Sequence, residues 1–232
     1  MRKLSLCRRQ LVPAGSWLDA AASPQEARMK LYFTPGTCSL APHIVLRELG
    51  LEAELVRVRL GVPPVLAATQ ADYRTLNPNG YVPLLQLDDG SLLSEGVAIL
   101  QYLAELRPER GLLPAATPLQ RHASMRWLVY IGTELHKMFS PWLFHPEYGE
   151  QAAQVARARI AKRLELVEDQ LGVRDYLLGE AFTVADAYLF AIVSWAKPCK
   201  VPLDNFPHLQ AWLERVAARP GVQAALQAEK AR

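Results

Sequence analysis

The chain has 232 residues, half of them hydrophobic, with mean hydropathy near zero and a formal net charge of +3. That length can bury a full core as one large domain or two small ones, and no apolar stretch approaches the ~18–20 residues needed to cross a bilayer. The charge is local: residues 1–28 carry five Arg/Lys against two acids, while the other 204 carry 21 of each sign, an electroneutral body that argues against nucleic acid as partner.

Three cysteines, Cys7, Cys38 and Cys199, are too few and too scattered for a disulfide framework or a zinc site, and fit a reducing, cytoplasmic compartment. Residues 1–28 lack a continuous apolar run, since Pro13, Gly15 and Asp19 interrupt it. They are expected to be a disordered N-terminal extension rather than a signal peptide.

From Met29 the order sharpens. Leu31, Tyr32 and Phe33 make a strand-length run, Pro35-Gly36 breaks it, and Leu40, Ile44, Val45 and Leu49 recur at helical spacing. Cys38 is thus expected in the first turn of a helix. There, unpaired N–H groups and the dipole favour a thiolate, its own or a ligand's. A thiol of pKa near 8.5 is only about 3% ionised at pH 7, and a helix end supplies ~0.3–2 kcal/mol of the ~2.7 that a two-unit drop needs. Direct hydrogen bonds must add the rest. The commoner fate of a free cysteine is that of a small buried hydrophobe.

Glu54 to Val58 reads as a second strand, followed by a Gly61-Val62-Pro63-Pro64 break and a helical stretch to about Tyr73. Pro83 to Leu87, the turn Asp88-Asp89-Gly90, and Ser91 to Leu93 form a hairpin. A helix carrying Val97, Leu100, Leu103 and Leu106 ends before Pro108. Residues 29–106 are therefore expected as a β-α-β-α-β-β-α unit, 107–117 as a Pro-rich linker, and 118–232 as all-helical. Helical spacing runs through His122–Phe139, Gln151–Leu171, Val184–Trp195, Leu209–Ala218 and Val222–Ala228. Thr183-Val184-Ala185-Asp186 has the form of a capping box, which assigns Asp186 a structural role worth ~0.5–2 kcal/mol rather than a catalytic one.

Four separated stretches, TPGTCSLAPHIVLRELGL, NPNGYVPLLQLDDGSLLSEGVAILQYL, LHKMFSP and FTVADAYLFAIVSWA, together resemble the bacterial beta-class glutathione S-transferases, in the family's order and over nearly all of the chain from Met29. The resemblance implies a thioredoxin-like N-terminal domain, a helical C-terminal domain and a homodimer. It implies glutathione as co-substrate, small hydrophobic electrophiles as second substrates, detoxification as the purpose, and no metal, membrane or nucleic acid.

Residue by residue, Cys38 matches a cysteine beside the glutathione sulfur. Val82-Pro83 matches a cis-proline segment whose backbone pairs with the cysteinyl part of the tripeptide. Ser94 and Glu95 match the pair that holds its γ-glutamyl end, although Ser94 also stands where an N-cap belongs and Glu95 suits any first turn. His136 matches a residue close to the cysteine, Lys137 one near the pocket, and Trp195 an aromatic at the mouth of the second-substrate site. By themselves, Trp195 reads as helix packing and His136 as a surface or satisfied core histidine.

Two departures stand out. A lysine common in the loop after the second strand, paired with the glycyl carboxylate, is absent from Gly61-Val62-Pro63-Pro64, and Val129 replaces an asparagine. Arg57, Arg59, Arg74 and Lys137 are the available substitutes, and the loss of one charged hydrogen bond predicts binding weaker by about 1.5–3 kcal/mol. Conjugation by the ligand's sulfur is the leading expectation. The rivals are monothiol disulfide exchange or peroxide reduction through Cys38, resolved by glutathione because Cys38-Ser39-Leu40-Ala41 holds no second cysteine, and a non-catalytic binding protein on the same fold.

Overall fold

The computed structural model describes residues 28–114 and 117–230. The expected N-terminal extension therefore lies, except for Arg28, outside the described residues.

β1 (Lys30–Phe33), α1 (Leu40–Leu49) and β2 (Glu54–Arg59) form a parallel strand-helix-strand unit, with Leu31 opposite Leu55. β4 (Leu84–Gln86) pairs antiparallel with β1, and β5 (Leu92–Ser94) closes the hairpin through a turn in which Gly90 adopts φ +87°. Only glycine takes that conformation without strain. A two-residue β3 (Val65–Leu66) lies antiparallel on β2, giving the sheet order β3-β2-β1-β4-β5. α2 (Gly96–Glu105) follows β5 directly.

The helix expected up to Tyr73 does not form; β3 and a 3₁₀ turn over Tyr73–Thr75 take its place. The segment has no apolar stripe long enough to hold a helix on the core: Tyr73 is its one fully buried large side chain, packed with Tyr32, Val58, Val82 and Leu84. Asp72 caps the 3₁₀ turn by accepting from the Arg74 N–H at 2.9 Å.

The second unit is helical. α3 (Pro118–Tyr130) starts on a capping box of Thr117 and Gln120, then passes through a π-helical stretch, Ile131–His136, into α4 (Lys137–Phe139). α5 (Glu150–Leu171), α6 (Val184–Val193), α7 (Pro207–Ala217) and α8 (Pro220–Lys230) complete it. All ten residues of α6 are buried, which explains its nearly unbroken apolar sequence. At its head, Asp186 accepts from the Thr183 N–H (3.0 Å) and hydroxyl (2.8 Å), the Leu177 N–H (3.0 Å) and the Trp212 indole (3.2 Å). The structural reading of Asp186 is met, and burial pushes its carboxyl up to about 6.

α1 is the seam between the units. Of its ten residues only Arg47 and Glu48 are not buried, because one face covers the sheet and the other packs on α6 and α8. Glu48 takes a two-pronged ion pair from Arg219 at 2.6 and 2.9 Å, and the Arg219 guanidinium lies 4.3 Å over the Phe182 ring. Among the described residues, no helix is long and apolar enough to cross a membrane, and no group of three His, Cys, Asp or Glu is placed to hold a metal ion.

Candidate active site

The turn between β1 and α1 is built by local hydrogen bonds. Ser39, fully buried, donates to the Thr34 carbonyl (3.1 Å), accepts from the Thr34 N–H (3.2 Å) and meets the Thr37 hydroxyl (2.8 Å). Gly36 takes φ +72° in this turn, and both sides of it are held by the helical unit. Its N–H donates to Glu229 Oε2 of α8 (2.9 Å), and its carbonyl accepts the indole N–H of Trp195 (2.8 Å).

Cys38 follows two residues later. Ser39 is the N-cap and α1 begins at Leu40, so Cys38 stands just ahead of the helix and not within its first turn. Its thiol donates to the Val82 carbonyl at 3.3 Å, beside the cis Val82-Pro83 bond that the family resemblance implies. The N–H groups of Cys38 and Ser39 and the cation of Lys137 favour the thiolate, but desolvation outweighs them and pushes the thiol up to about 11. As the magnitudes anticipate, a dipole contribution of ~0.3–2 kcal/mol does not offset burial of the charge.

Glu95 projects at the head of α2, exposed, with φ +70°. It serves as N-cap position in backbone terms without a side-chain cap bond, while Ser94 ends β5 opposite Leu84. The simple capping alternative for this pair is therefore not met. A non-glycine residue at positive φ costs of order 1–3 kcal/mol and persists only where the surrounding structure holds it. Glu95 also lies within electrostatic reach of both Cys38 and Tyr188.

From the other side, the π-helical stretch delivers His136 and Lys137. π-turns widen a helix by one residue and concentrate at functional positions. His136 Nδ1 meets the Tyr188 hydroxyl at 2.7 Å, and its ring packs edgewise on Trp195 with centroids 5.2 Å apart. Burial, with Lys137 adding to it, lowers the imidazole to about 4, so it is neutral at physiological pH. Lys137 is exposed and forms no ion pair among the described residues. Trp195 is buried, in contact with Phe139 (5.9 Å) and the part-exposed Phe144 (5.1 Å).

The loop lacking the lysine, Gly61–Pro64, is exposed at Val62, while Pro64 packs so tightly on Gly80 that a Cβ there would come within 2.9 Å of its ring. Of the candidate substitutes, Arg74 is locked to Asp72 (3.0 and 2.6 Å) and Arg59 to Gln70 (3.2 Å).

Cys38, Val82, Pro83, Glu95, His136, Lys137 and Trp195 thus gather around the seam between the units. Two residues escape sequence reasoning. Glu229 falls on the apolar stripe Val222-Ala225-Leu226 of α8, a carboxylate where packing would put a hydrophobe. Tyr188 is a phenol in a helix that is apolar apart from Asp186, and its hydroxyl needs a partner once buried.

Comparison with known proteins identifies the family. The family model for the glutathione S-transferase N-terminal domain matches residues 36–106, and that for the C-terminal domain matches residues 128–220. The chain is 46% identical over 201 residues to glutathione S-transferase GstA of Escherichia coli O157:H7, covering 87% of this chain and 98% of that one. A glutathione transferase structure from Methylococcus capsulatus superposes with TM-score 0.83 at 48% identity, covering 88% of this chain and all of the other. A sphingomonad glutathione S-transferase complexed with glutathione gives 0.82 at 41%, with 88% and 100% covered. The bacterial beta-class enzyme of Sphingomonas chungbukensis gives 0.80 at 39%, with 86% and 98% covered. With its thioredoxin-like first unit and helical second unit, the chain belongs to the glutathione S-transferase family, in the bacterial beta class.

Proposed function

We propose that this glutathione transferase joins the sulfur of reduced glutathione to small hydrophobic electrophiles, with the ligand's sulfur and not Cys38 as nucleophile. One observation carries the reading. The Cys38 thiol is pushed up to about 11 and spends its proton on Val82, whereas the cation of Lys137 and the N–H of Cys38 favour negative charge at that spot. A protonated cysteine at the mouth of α1 is a poor attacker in disulfide exchange and an acceptable neighbour for a second sulfur.

In this reading the tripeptide lies along Val82-Pro83. The Val82 N–H, which has no backbone partner among the described residues, pairs with its cysteinyl carbonyl like a strand. The exposed Glu95 carboxylate takes the γ-glutamyl ammonium, and Ser94 takes the carboxylate beside it. The thiol loses its proton to solvent, and the thiolate is held by the backbone N–H groups ahead of α1, by Lys137 and by His136. The sulfur then attacks the electrophilic carbon, and the leaving group departs with its electron pair. The chain's share is orientation and electrostatic stabilisation.

The aromatic wall of Trp195, Phe139 and Phe144 beside His136 supports a hydrophobic second substrate there. Because Trp195 is buried, it backs the wall, and Phe144 and Lys137 face the substrate. The extension before residue 29, the linker at 107–117, a cytoplasmic location and a homodimer complete the proposal. Equilibrium sedimentation tests the last.

The experiment that separates this reading from its rivals measures conjugation of an aryl halide and glutathione-dependent disulfide exchange in wild type and Cys38→Ala. Conjugation is expected to persist in the variant. Its loss, together with retained exchange in wild type only, would make Cys38 the nucleophile.

A further inference from the structure

The 2.7 Å contact between His136 Nδ1 and the Tyr188 hydroxyl does more than fill space. A neutral imidazole has one N–H and one bare nitrogen, and the neighbour of one ring nitrogen decides which is which. Tyr188 is buried in α6, and His136 is the one hydrogen-bond partner its hydroxyl has among the described residues. If Nδ1 carried the proton, the phenol would accept, and its own proton would be left buried without a partner. An unmet buried donor is the costlier arrangement. The phenol therefore donates to Nδ1, and the imidazole proton sits on Nε2, on the opposite edge of the ring.

Two rings fix the direction of that edge. Tyr188 meets His136 edge-on at 5.9 Å between centroids, and Trp195 packs on it at 5.2 Å while its own N–H is spent on Gly36. The charged and titratable groups around the pair are Lys137 next in sequence, Cys38 ahead of α1 and Glu95 at the head of α2. Among the described residues, none of these three bonds to either member of the pair.

We propose that Tyr188 is a positioning residue that fixes His136 as its Nε2–H tautomer, so that a neutral imidazole offers its single N–H to the sulfur of glutathione. The inference rests on the reading of His136 as a neighbour of that sulfur. Tyr188 touches neither substrate; it acts through His136.

The test is a double-mutant cycle of Tyr188→Phe and His136→Ala, read by aryl halide conjugation and by the ultraviolet absorbance of bound glutathione thiolate against pH. Tyr188→Phe is expected to move the thiolate midpoint up by about one pH unit and lower kcat about tenfold below that midpoint. KM for glutathione should stay within about twofold. In the His136→Ala background, Tyr188→Phe should change nothing further. An unmoved midpoint in Tyr188→Phe, or an equal loss with and without His136, would overturn the proposal. If His136→Ala alone leaves midpoint and rate unchanged, the underlying reading of His136 has failed instead. Should Tyr188→Phe not fold, the ¹⁵N shifts of the His136 ring in wild type decide: a protonated Nε2 with bare Nδ1 is expected, and the reverse pattern refutes the lock.

Discussion

Trp195 and Gly36, 159 positions apart, are joined by an indole-to-carbonyl hydrogen bond of 2.8 Å that ties the helical unit to the turn carrying Cys38. Glu229 grips the N–H of the same glycine from α8, so the site's sulfur-facing loop is set by residues of the other unit.

Trp195→Phe keeps an aromatic ring in the wall and removes this bond. The expected cost is about 0.5–1.5 kcal/mol of stability, with the Gly36 loop loosened. Urea unfolding and the KM for glutathione measure the two effects, and KM should rise more than kcat falls, since the loop positions the ligand.

Glu229→Ala should cost more. The carboxylate accepts from Gly36 and lies 3.3 Å from Nδ1 of His43, whose Nε2 is already buried without a partner among the described residues. Losing a charged acceptor and stranding two polar groups is expected to destabilise by about 1.5–3 kcal/mol or more, seen as a lower denaturant midpoint.

Asp186 gives the stability a pH signature. Its folded value of about 6 lies above the ~3.9 of an unfolded aspartate, so between these the folded state holds a proton that the unfolded chain has released. The residue's contribution therefore falls as pH rises from about 4 to 6 and is flat above that. The stability difference between wild type and Asp186→Asn should shrink by about 2–3 kcal/mol across this window. A difference that grows with pH would contradict the assignment.

Cys38 should be slow to alkylate. With its thiol pushed up to about 11, the ligand-free enzyme's reaction with iodoacetamide at pH 7.5 should be slower than that of an unperturbed thiol, and should still be rising above pH 9. Mass spectrometry of the modified peptide against pH reads this directly.

What was legible in the sequence is what local pattern controls. The β1-turn-α1 passage, the Asp88-Asp89-Gly90 hairpin, the helix stopped before Pro108 and the Thr183–Asp186 cap all carry their determinants within a few residues. The stretch from Val65 to Thr75 misled because its scattered apolar residues mimic a helix, yet only Tyr73 buries fully and no stripe is left to dock. The ionisation of Cys38 was illegible for another reason. A helix end is visible in sequence, but the desolvation that outweighs it belongs to the packed fold, which sets the thiol on Val82, 44 positions away. Glu229, Trp195 and Tyr188 act over the same distances, so their partners Gly36 and His136 emerge only from the packed fold.

The most direct test of the account is the pH dependence of thiolate absorbance for glutathione bound to Cys38→Ala, where no protein sulfur at the site can contribute. Ionisation of the bound ligand with a midpoint below the ~8.5 of an ordinary thiol is the predicted result. A midpoint at or above that value would show that the residues around α1 do not activate the ligand's sulfur, and the proposed mechanism would be wrong.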